Sequence, residues 1–534
     1  MNISTILDAP AAGDPARAAL IIGERTITYR ELAEAVDRCA GRLSAYGVTG
    51  RRIAVVDVGS MLSIATMLGA ARIGAAAALM NPALTSAEIR GLITNADCAD
   101  VGVAGEAYAR RLLEAGVAKA LTARDLLHGD AVATPPPAEY VHDREALILF
   151  TSGTTGLPKP IGITNRQLIA RIMGVTTPFR ADAAPTVSMM SVPFFHVGGA
   201  IGVLGNLYSG NTYVVQDRFD AAEWLRLVQE HRVTSTFMVP TMLQRILDHP
   251  DFDNADLTSL AVVAYGAAAA PVALVRRAME AMPHVGFANV FGQTETLGAY
   301  TTLLPDDHRD PDRVGSVGRP LPGVDVRVVD PDTGIDVEPG TVGELWVNTS
   351  QNVVDGWLHT GDLARRDSDG YIYPSGRLKD TINRGGEKFG PIEVEEAIRT
   401  HPAVSDVAVA GIAYAITSDL GPGNNRFREK NAQGCQNDDV SGGTGKDRLY
   451  FNTSNETNCP NGDVDFGHGQ EGDEDLVDVS DPDTMDTAGG GPGTGDTCII
   501  TVDQHGTADV ADDSRDVAGA ECEVVTEVIY NPQP

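Results

Sequence analysis

The feature that most constrains the fold is an alternation of short strand-like segments with longer helical patterns over the first 320 residues. The strand-like segments are RIAVVDVG, ADVGVAG, NTYVVQD, VTSTFMVP, SLAVVAYG and HVGFANVFG. Between them, segments such as AAEWLRLVQEH and TMLQRILDH repeat apolar residues at helical intervals. This alternation predicts an α/β layered domain with mostly parallel strands, in which functional sites collect at the carboxyl ends of the strands.

Two local patterns near the N-terminus predict helices. Thr28 and Glu31 have the spacing of a capping box, and apolar residues recur at helical intervals after them. The stretch from Met61 to Met80 is alanine-rich, is broken by glycines and contains Arg72. We expect a packed pair of helices there rather than a membrane span, because an arginine in the middle of a span is costly in lipid.

After about Pro320 the pattern changes to short β segments with tight turns, namely VDVRVVDPDTG, GELWVN and DGYIYPSGR. PIEVEEAIRTHPAVSDVAVAGI then predicts one helix and one strand. The expected fold class is therefore α/β. Residues 1–378 form a large layered N-terminal domain of two α/β subdomains plus a β subdomain, and residues 379–412 begin a small α+β C-terminal domain.

The composition changes after Ile412. Residues 413–534 contain 25 acidic and 6 basic residues, so they carry −19 of the total net charge of −32, and they include 17 glycines. Such a composition cannot easily bury enough apolar surface to offset its ordering entropy, which favours a poorly ordered, atypical tail. A shift of reading frame, a replaced terminus and a genuine acidic appendage would each explain the change.

Bulk properties exclude several classes of function. A net charge of −32 argues against nucleic acid or an anionic membrane surface as a general partner. The N-terminal segment has no basic region followed by an apolar one, so we expect no secretory signal. The six cysteines are widely spaced and form no CxxC or Cys/His pattern. We therefore expect a reduced, cytoplasmic protein without a structural metal.

The segment LFTSGTTGLPKP, from Leu149 to Pro160, concentrates glycines and hydroxyl groups after an apolar run. Glycines let backbone N–H groups approach an anion, the hydroxyls add donors and Lys159 adds a positive charge, which together suit a polyphosphate. The spacing differs from that of the Walker pattern. The alternative is a flexible linker, but the strand before the loop and the Pro-Lys-Pro after it favour a phosphate loop.

The segment TSGTTGLPKP resembles the phosphate-loop signature of the adenylate-forming (AMP-binding) superfamily, in its acyl-CoA synthetase branch. Five further segments resemble the motifs of that family in the same order: PFFHVGG, AYGAAAAP, FGQTET, GWLHTGD and GRLKDTINRGGEKFGPIEVEE. The resemblance implies that a carboxylic acid, such as a fatty or other apolar acid, is activated with ATP to an acyl-adenylate. It also implies Mg²⁺ as cofactor and transfer of the acyl group to CoA.

The resemblance also implies roles for individual residues. Those assigned to the phosphate loop are Thr151, Ser152, Gly153, Thr154, Thr155, Gly156 and the catalytic Lys159. Those assigned to the adenine and to the phosphate-side motif are Gly266, Ala267, Ala268, Gln293, Thr294 and Glu295. Glu295 suits Mg²⁺, which is commonly held by a carboxylate and phosphate oxygens, and Thr294 could donate a hydrogen bond to the α-phosphate.

Further roles concern the ribose and the thiol acceptor. The resemblance implies that Asp362 accepts hydrogen bonds from the ribose hydroxyls and that Arg377 reaches the ribose or a phosphate. Lys379 would be the hinge of the C-terminal domain. The residues implied in the thioester loop are Gly385, Gly386 and Lys388.

Three points depart from the family pattern or stay open. His196 either lines or gates the acyl pocket or is an ordinary packed histidine. Pro160 stands where the family has glycine. The C-terminal lysine of the family has no convincing counterpart, since Lys446 has only a TGK context. Transfer to a carrier-protein thiol, and nucleotide binding with little ligase activity, remain alternatives.

Overall fold

The computed structural model describes residues 2–128, 133–139, 141–151, 158–176, 178–180, 182 and 186–381, residues 394 and 409, and the backbone of ten short strands beyond residue 381. The chain divides into two compact units, Met1–Lys379 and Asp380–Pro534. The helix and strand predicted from PIEVEEAIRTHPAVSDVAVAGI fall almost entirely outside the described residues.

The first unit alternates helices and strands as the sequence predicts. Its α-helices are α1 (Asp8–Gly13), α2 (Tyr29–Ala45), α3 (Met61–Arg72), α4 (Ser86–Asn95), α5 (Ala109–Glu114), α6 (Ala123–Leu126), α7 (Asn165–Val175), α8 (Val197–Tyr208), α9 (Ala221–His231), α10 (Pro240–Leu247) and α11 (Val272–Ala281). Short 3₁₀ turns cover Ile3–Thr5, Phe252–Asn254, Thr294–Thr296, Asp307–Arg309 and Leu378–Asp380. The capping box at α2 is confirmed, because the carboxylate of Glu31 accepts a hydrogen bond from the Thr28 amide at 2.7 Å.

The strands of the first unit build three sheets. In chain order they are β1 (Ala18–Ile22), β2 (Arg25–Thr28), β3 (Arg52–Val56), β4 (Ala76–Met80), β5 (Val101–Ala104), β6 (Lys119–Leu121), β7 (Glu145–Thr151), β8 (Lys159–Thr164), β9 (Val187–Met190), β10 (Thr212–Val215), β11 (Ser235–Met238), β12 (Val262–Gly266), β13 (Gly286–Gln293), β14 (Gly298–Leu303), β15 (Arg319–Pro320), β16 (Asp325–Val329), β17 (Val342–Asn348), β18 (Leu358–Arg366) and β19 (Ile372–Arg377). Their spatial orders are β6-β5-β3-β4-β7-β8, β15-β14-β13-β12-β11-β9-β10-β1-β2 and β16-β17-β18-β19.

The pairing within these sheets confirms the predicted α/β class. In the nine-stranded sheet, β1, β10, β9, β11, β12 and β13 pair in parallel, whereas β2, β14 and β15 pair antiparallel. In the six-stranded sheet, β6, β5, β3, β4 and β7 pair in parallel, and β8 pairs antiparallel with β7. The third sheet is antiparallel throughout. Two α/β layers and a β layer are therefore present in the first unit.

The prediction of a helix pair from Met61 to Met80 is wrong in its second half. Helix α3 ends at Arg72, Gly74 turns the chain with φ +70°, and residues 76–80 form the buried strand β4. Alanine favours helices in isolation, but β4 lies between β3 and β7, where small side chains fit the closely packed centre of the sheet. Arg72 pairs with Asp37 of α2 at 3.2 Å. Among the described helices, none is long and apolar enough to cross a membrane.

The main hydrophobic core lies around α2 and α3 and joins both large sheets. It runs from Ile3 to Leu297 and includes seven side chains of α3. A second core lies under α9, α10 and α11, and a smaller one fills the inner face of the antiparallel sheet around Tyr300 and Leu345. These cores hold the carboxyl ends of the parallel strands in fixed positions.

In the second unit the described backbone consists mainly of very short strands. They are β20 (Ile382–Arg384), β21 (Glu387–Phe389), β22 (Thr417–Asp419), β23 (Arg426–Arg428), β24 (Asp439–Ser441), β25 (Arg448–Tyr450), β26 (Phe466–His468), β27 (Leu476–Asp478), β28 (Thr487–Gly489) and β29 (Thr497–Ile500). Strands β22 to β29 alternate between two four-stranded parallel sheets, ordered β22-β24-β26-β28 and β23-β25-β27-β29. The expectation of a poorly ordered tail stays a prediction.

Candidate active site

The predicted phosphate loop connects two antiparallel strands. Thr151, the last residue of β7, is paired with Lys159, the first residue of β8, so the two ends of the loop lie side by side. Lys159 is exposed. Pro160 has no N–H group to donate to a neighbouring strand. It is tolerated here because β8 is at the edge of its sheet. The loop residues 152–157, which include Ser152, Gly153, Thr154, Thr155 and Gly156, lie outside the described residues.

The predicted adenine segment follows the carboxyl end of β12. A Cβ on Gly266 would lie 2.0 Å from the carbonyl oxygen of Val290, so only glycine fits against the neighbouring strand. Ala267 has φ +64°, an unusual value for a residue with a side chain, and both Ala267 and Ala268 are exposed. Such outliers tend to persist at binding sites, where the surrounding structure holds them in place.

The predicted phosphate-side motif forms a tight turn between β13 and β14. The hydroxyl of Thr296 accepts a hydrogen bond from the Gln293 amide at 3.1 Å and lies 2.7 Å from the carbonyl of Gly298. Leu297 completes the turn with φ +56°. Since β12 and β13 are parallel neighbours, Gly266 and Glu295 follow the carboxyl ends of adjacent strands, as the sequence predicts.

Asp362 and Arg377 face each other on the neighbouring strands β18 and β19. The Arg377 Nε lies 3.2 Å from the Asp362 carboxylate, and Asp362 is 7% exposed. Burial raises the pKa of Asp362 to about 6, although Arg377 opposes the shift; the charges of Glu295 and Glu344 raise the pKa further. The structure thus brings together the predicted residues Glu295, Asp362 and Arg377.

His196 occupies the position before the first turn of α8, and its ring lies 4.6 Å from that of Phe195. Desolvation by the surrounding protein lowers the pKa of the imidazole. The side chain is therefore neutral at pH 7, which suits a wall residue better than an anion-binding cation. Within the described parts of the chain, no contact of His196 with another predicted site residue distinguishes between its two interpretations.

The predicted thioester loop lies in the second unit. Lys388 is in β21, where its backbone pairs with that of Asn383, and its side chain is outside the described part of the chain. Gly385 and Gly386 are outside it as well. Their roles stay predictions.

Comparison with known proteins decides the family. The sequence profile described as "AMP-binding enzyme" matches residues 7–358. The chain belongs to this family. Its adenylate-forming fold and the order of the six motifs agree with that assignment.

The relatives of this AMP-binding enzyme activate different acids. The indoleacetate–CoA ligase of Aromatoleum aromaticum is 31% identical, over 77% of this chain and 85% of the relative. The fatty acid–[acyl-carrier-protein] ligase ScoC of Streptomyces coeruleorubidus is 29% identical, over 75% and 82%. The structure of o-succinylbenzoate coenzyme A synthetase (MenE) from Bacillus subtilis with AMP is similar with a TM-score of 0.68 and 25% identity, over 76% of this chain and 85% of that chain.

Sequence reasoning missed two residues of this AMP-binding enzyme that contact the Asp362 region. Glu344 is 7% exposed, and its carboxylate accepts hydrogen bonds from the Gly361 amide at 3.1 Å and from Trp346 at 2.8 Å. Tyr300 is fully buried, and burial together with the charge of Asp362 raises the pKa of its hydroxyl. The sequence feature that could have indicated Glu344 is its position as the one acidic residue in the apolar segment GELWVN.

Proposed function

We propose that this protein activates a carboxylic acid with ATP to an acyl-adenylate and transfers the acyl group to CoA. The observation that carries the proposal is the grouping of Glu295, Asp362 and Arg377 in a chain of the AMP-binding enzyme family. The named relatives are acid–thiol ligases, which supports the same class of reaction.

In the first step, a carboxylate oxygen of the acid attacks the α-phosphorus, and the bond from that phosphorus to the pyrophosphate oxygen breaks. Charge develops on the phosphate oxygens, so donors and cations fixed in position lower the barrier. Thr151 and Lys159, held side by side by the β7–β8 pairing, would contact the departing phosphates. Thr294, at the end of β13, would donate to the α-phosphate.

Asp362 would hold the ribose, because a carboxylate can accept hydrogen bonds from both hydroxyls. Its pKa of about 6 leaves it mostly ionised at pH 7. Among the described residues, no group of three or more His, Cys, Asp or Glu side chains could hold a metal ion by itself. Mg²⁺ would therefore be held by Glu295 together with phosphate oxygens of ATP, which is a common arrangement for this ion. When bound, Mg²⁺ would neutralise charge on the phosphates.

In the second step, the sulfur of CoA attacks the acyl carbon, and AMP leaves with the bonding electron pair. Gly385, Gly386 and Lys388 are proposed to line the path of the thiol. A carrier-protein thiol would react in the same way, and the name of one relative includes such an acceptor. We also propose that residues 1–378 are the adenylation domain and that residues 379–412 begin the C-terminal domain. The cytoplasmic location stays a prediction.

The test is release of pyrophosphate from ATP in the presence of a panel of aliphatic and aryl acids, followed by addition of CoA or a carrier protein. We expect acid-dependent pyrophosphate release and then a thioester. Glu295→Gln should lower the rate by about 10²-fold and shift its dependence on Mg²⁺ to higher concentrations. Exposed Glu230→Gln, on α9, is the control. Absence of acid-dependent pyrophosphate with every acid would refute the proposal.

A further inference from the structure

Arg171 is a buried arginine on α7, the helix that directly follows β8. Its Nη1 donates a hydrogen bond to the carbonyl of Ala299 at 2.6 Å. A Cβ on Gly298 would lie 3.4 Å from its Nη2. The guanidinium therefore lies against the first residues of β14, immediately after the Thr294–Thr296 turn.

The face of α7 that carries Arg171 packs against residues 351 and 352, both before and after Arg171. Gln167 and Gly174 lie one helical turn before and after, on the same side of the helix. Gln167 donates to the carbonyl of Asn352 at 2.7 Å, and Gly174 lies near Gln351. The amide of Val353 in turn donates to the carbonyl of Glu295 at 2.9 Å. This face of α7 thus borders the proposed site of adenylation.

The charge of Arg171 is not balanced by the residues that the structure describes. Arg171 is only 7% exposed. Burial lowers the pKa of its guanidinium to about 10, so the group is still charged at neutral pH. Within the described parts of the chain, no carboxylate pairs with it, and its buried Nε has no hydrogen-bond partner. Among the residues of the first unit that the structure does not describe, Asp130 alone is acidic. A buried charge is costly to a fold unless it is paired and hydrogen-bonded, so a partner outside the described residues is expected.

Two further polar side-chain atoms, one in β13 and one in β14, also lack a hydrogen-bond partner among the described residues. The Nε2 of Gln293, which is paired in register with Gly298, has no partner, and neither has the hydroxyl of the fully buried Thr301. Thr301 is on the same face of β14 as Ala299, because strand side chains alternate. Helix α8, which follows His196, packs against both α7 and β14. The unsatisfied donors thus belong to α7, to β14 and to the last residue of β13, which pairs with β14.

We propose that Arg171 binds a second carboxylate, at the far end of the acid substrate, so that the preferred substrate class is dicarboxylic acids. This inference rests on the proposed function, because it places the reacting carboxylate at Thr294 and Glu295. A guanidinium matches a carboxylate with two parallel hydrogen bonds, and here Nε and an Nη group are on the side that Ala299 does not use. The unsatisfied Gln293 and Thr301 would supply further donors.

The test compares length-matched pairs of acids, such as octanoate and octanedioate together with their shorter and longer homologues. Binding is measured calorimetrically, and pyrophosphate release is measured separately, with wild type, Arg171→Met, Arg171→Lys and the control Arg166→Met. Arg166 is on the same helix, is half-exposed and pairs with Asp143. Thermal unfolding of each variant establishes that it is folded.

We expect wild type to prefer the dicarboxylate of at least one pair. Arg171→Met should weaken binding of that dicarboxylate about 10- to 100-fold, with the monoacid and the KM for ATP unchanged. Arg171→Lys should restore part of the preference, and Arg166→Met should not alter it. The inference is refuted if no pair shows a preference, or if Arg171→Met weakens both acids equally. Absence of pyrophosphate release, with the preference in binding retained, would instead refute the proposed function.

Discussion

The two units of the chain are built in different ways. The first combines helices with sheets whose strands bury most of their side chains in continuous cores. In the second, the strands after residue 412 are three or four residues long and stack in parallel, with glycine-rich and acidic sequence between them. All the family motifs precede residue 413, and the family profile ends at residue 358.

The difference supports the proposal that nucleotide binding depends on the first unit. Asp362, Arg377, Glu295 and the β7–β8 pair are all held by strands of that unit. The family position for a C-terminal lysine falls in the other unit, and its weak candidate, Lys446, is outside the described residues. Activities that depend on the first unit should therefore be separable from those that need the tail.

The largest expected effect is that of Lys159→Ala. It removes the cation at the end of the proposed phosphate loop, so adenylation should fall about 10²- to 10³-fold with little change in thermal stability, because Lys159 is exposed. The matched control is Lys119→Ala, an exposed lysine on β6, at the opposite edge of the same sheet. Equal rates for both variants would contradict the phosphate-loop assignment.

Asp362→Ala should have the next largest effect, on the KM for ATP. The variant loses charge-assisted hydrogen bonds of roughly 1.5–3 kcal/mol to the ribose, so KM should rise about 10- to 100-fold. Steady-state rates at varied ATP measure this. A KM for ATP equal to that of wild type would show that the carboxylate does not contact the nucleotide.

Asp362→Asn should stabilise the protein, with a defined dependence on pH. An unfolded aspartate titrates near pH 3.9, whereas the pKa of Asp362 is raised to about 6 in the folded protein. Ionisation therefore lowers the free energy of unfolding as pH rises from about 4 to about 6, and asparagine removes this loss. The variant should gain up to about 2–3 kcal/mol at pH 7.5 and nothing at pH 3.5.

Chemical denaturation across this pH range checks the prediction. Asp256→Asn provides a control of opposite sign, because hydrogen bonds from Thr258 lower the pKa of exposed Asp256. Its carboxylate contributes stability above pH 4 that is lost as pH falls, so the asparagine variant should be the less stable one at neutral pH. A gain for Asp362→Asn that does not change with pH would refute the electrostatic explanation.

The smallest expected effect is that of deleting residues 421–534. The first unit has its own cores, so ATP binding measured by calorimetry should stay within about twofold of that of the full chain. Loss of ATP binding in a truncated protein that still unfolds cooperatively would show that the tail contributes to the nucleotide site.

Much of the first unit could be predicted from the sequence, because its strands and helices differ in apolar periodicity. The strands β3, β12 and β13 and the helices α2 and α9 lie where those patterns place them. Strand β4 could not be predicted, since a run of alanines fits a helix and a buried strand equally well. The eight strands of the tail are too short to show any periodicity.

The residues of the candidate site also fall into two groups, those that sequence motifs indicate and those that only the three-dimensional structure indicates. The proximity of Glu295, Asp362 and Arg377 could be expected from the sequence, because each lies in a segment that resembles a motif of the family, and their roles stay predictions. Arg171 could not, because its importance lies in the absence of an acidic partner among the described residues, which only three-dimensional packing reveals. The hydrogen bond from the Gly361 amide to Glu344 likewise depends on the pairing of β17 with β18, which the sequence does not show.

Separate measurement of the two half-reactions, with the full chain and with Lys446→Ala, tests most directly whether the nucleotide chemistry belongs to the first unit. Without a family lysine, formation of the acyl-adenylate should be slow and unaffected by Lys446→Ala. Transfer to CoA from synthetic acyl-adenylate should be about tenfold faster or more. Rapid adenylation that is lost in Lys446→Ala would contradict the account, because it would place an essential cation in the tail.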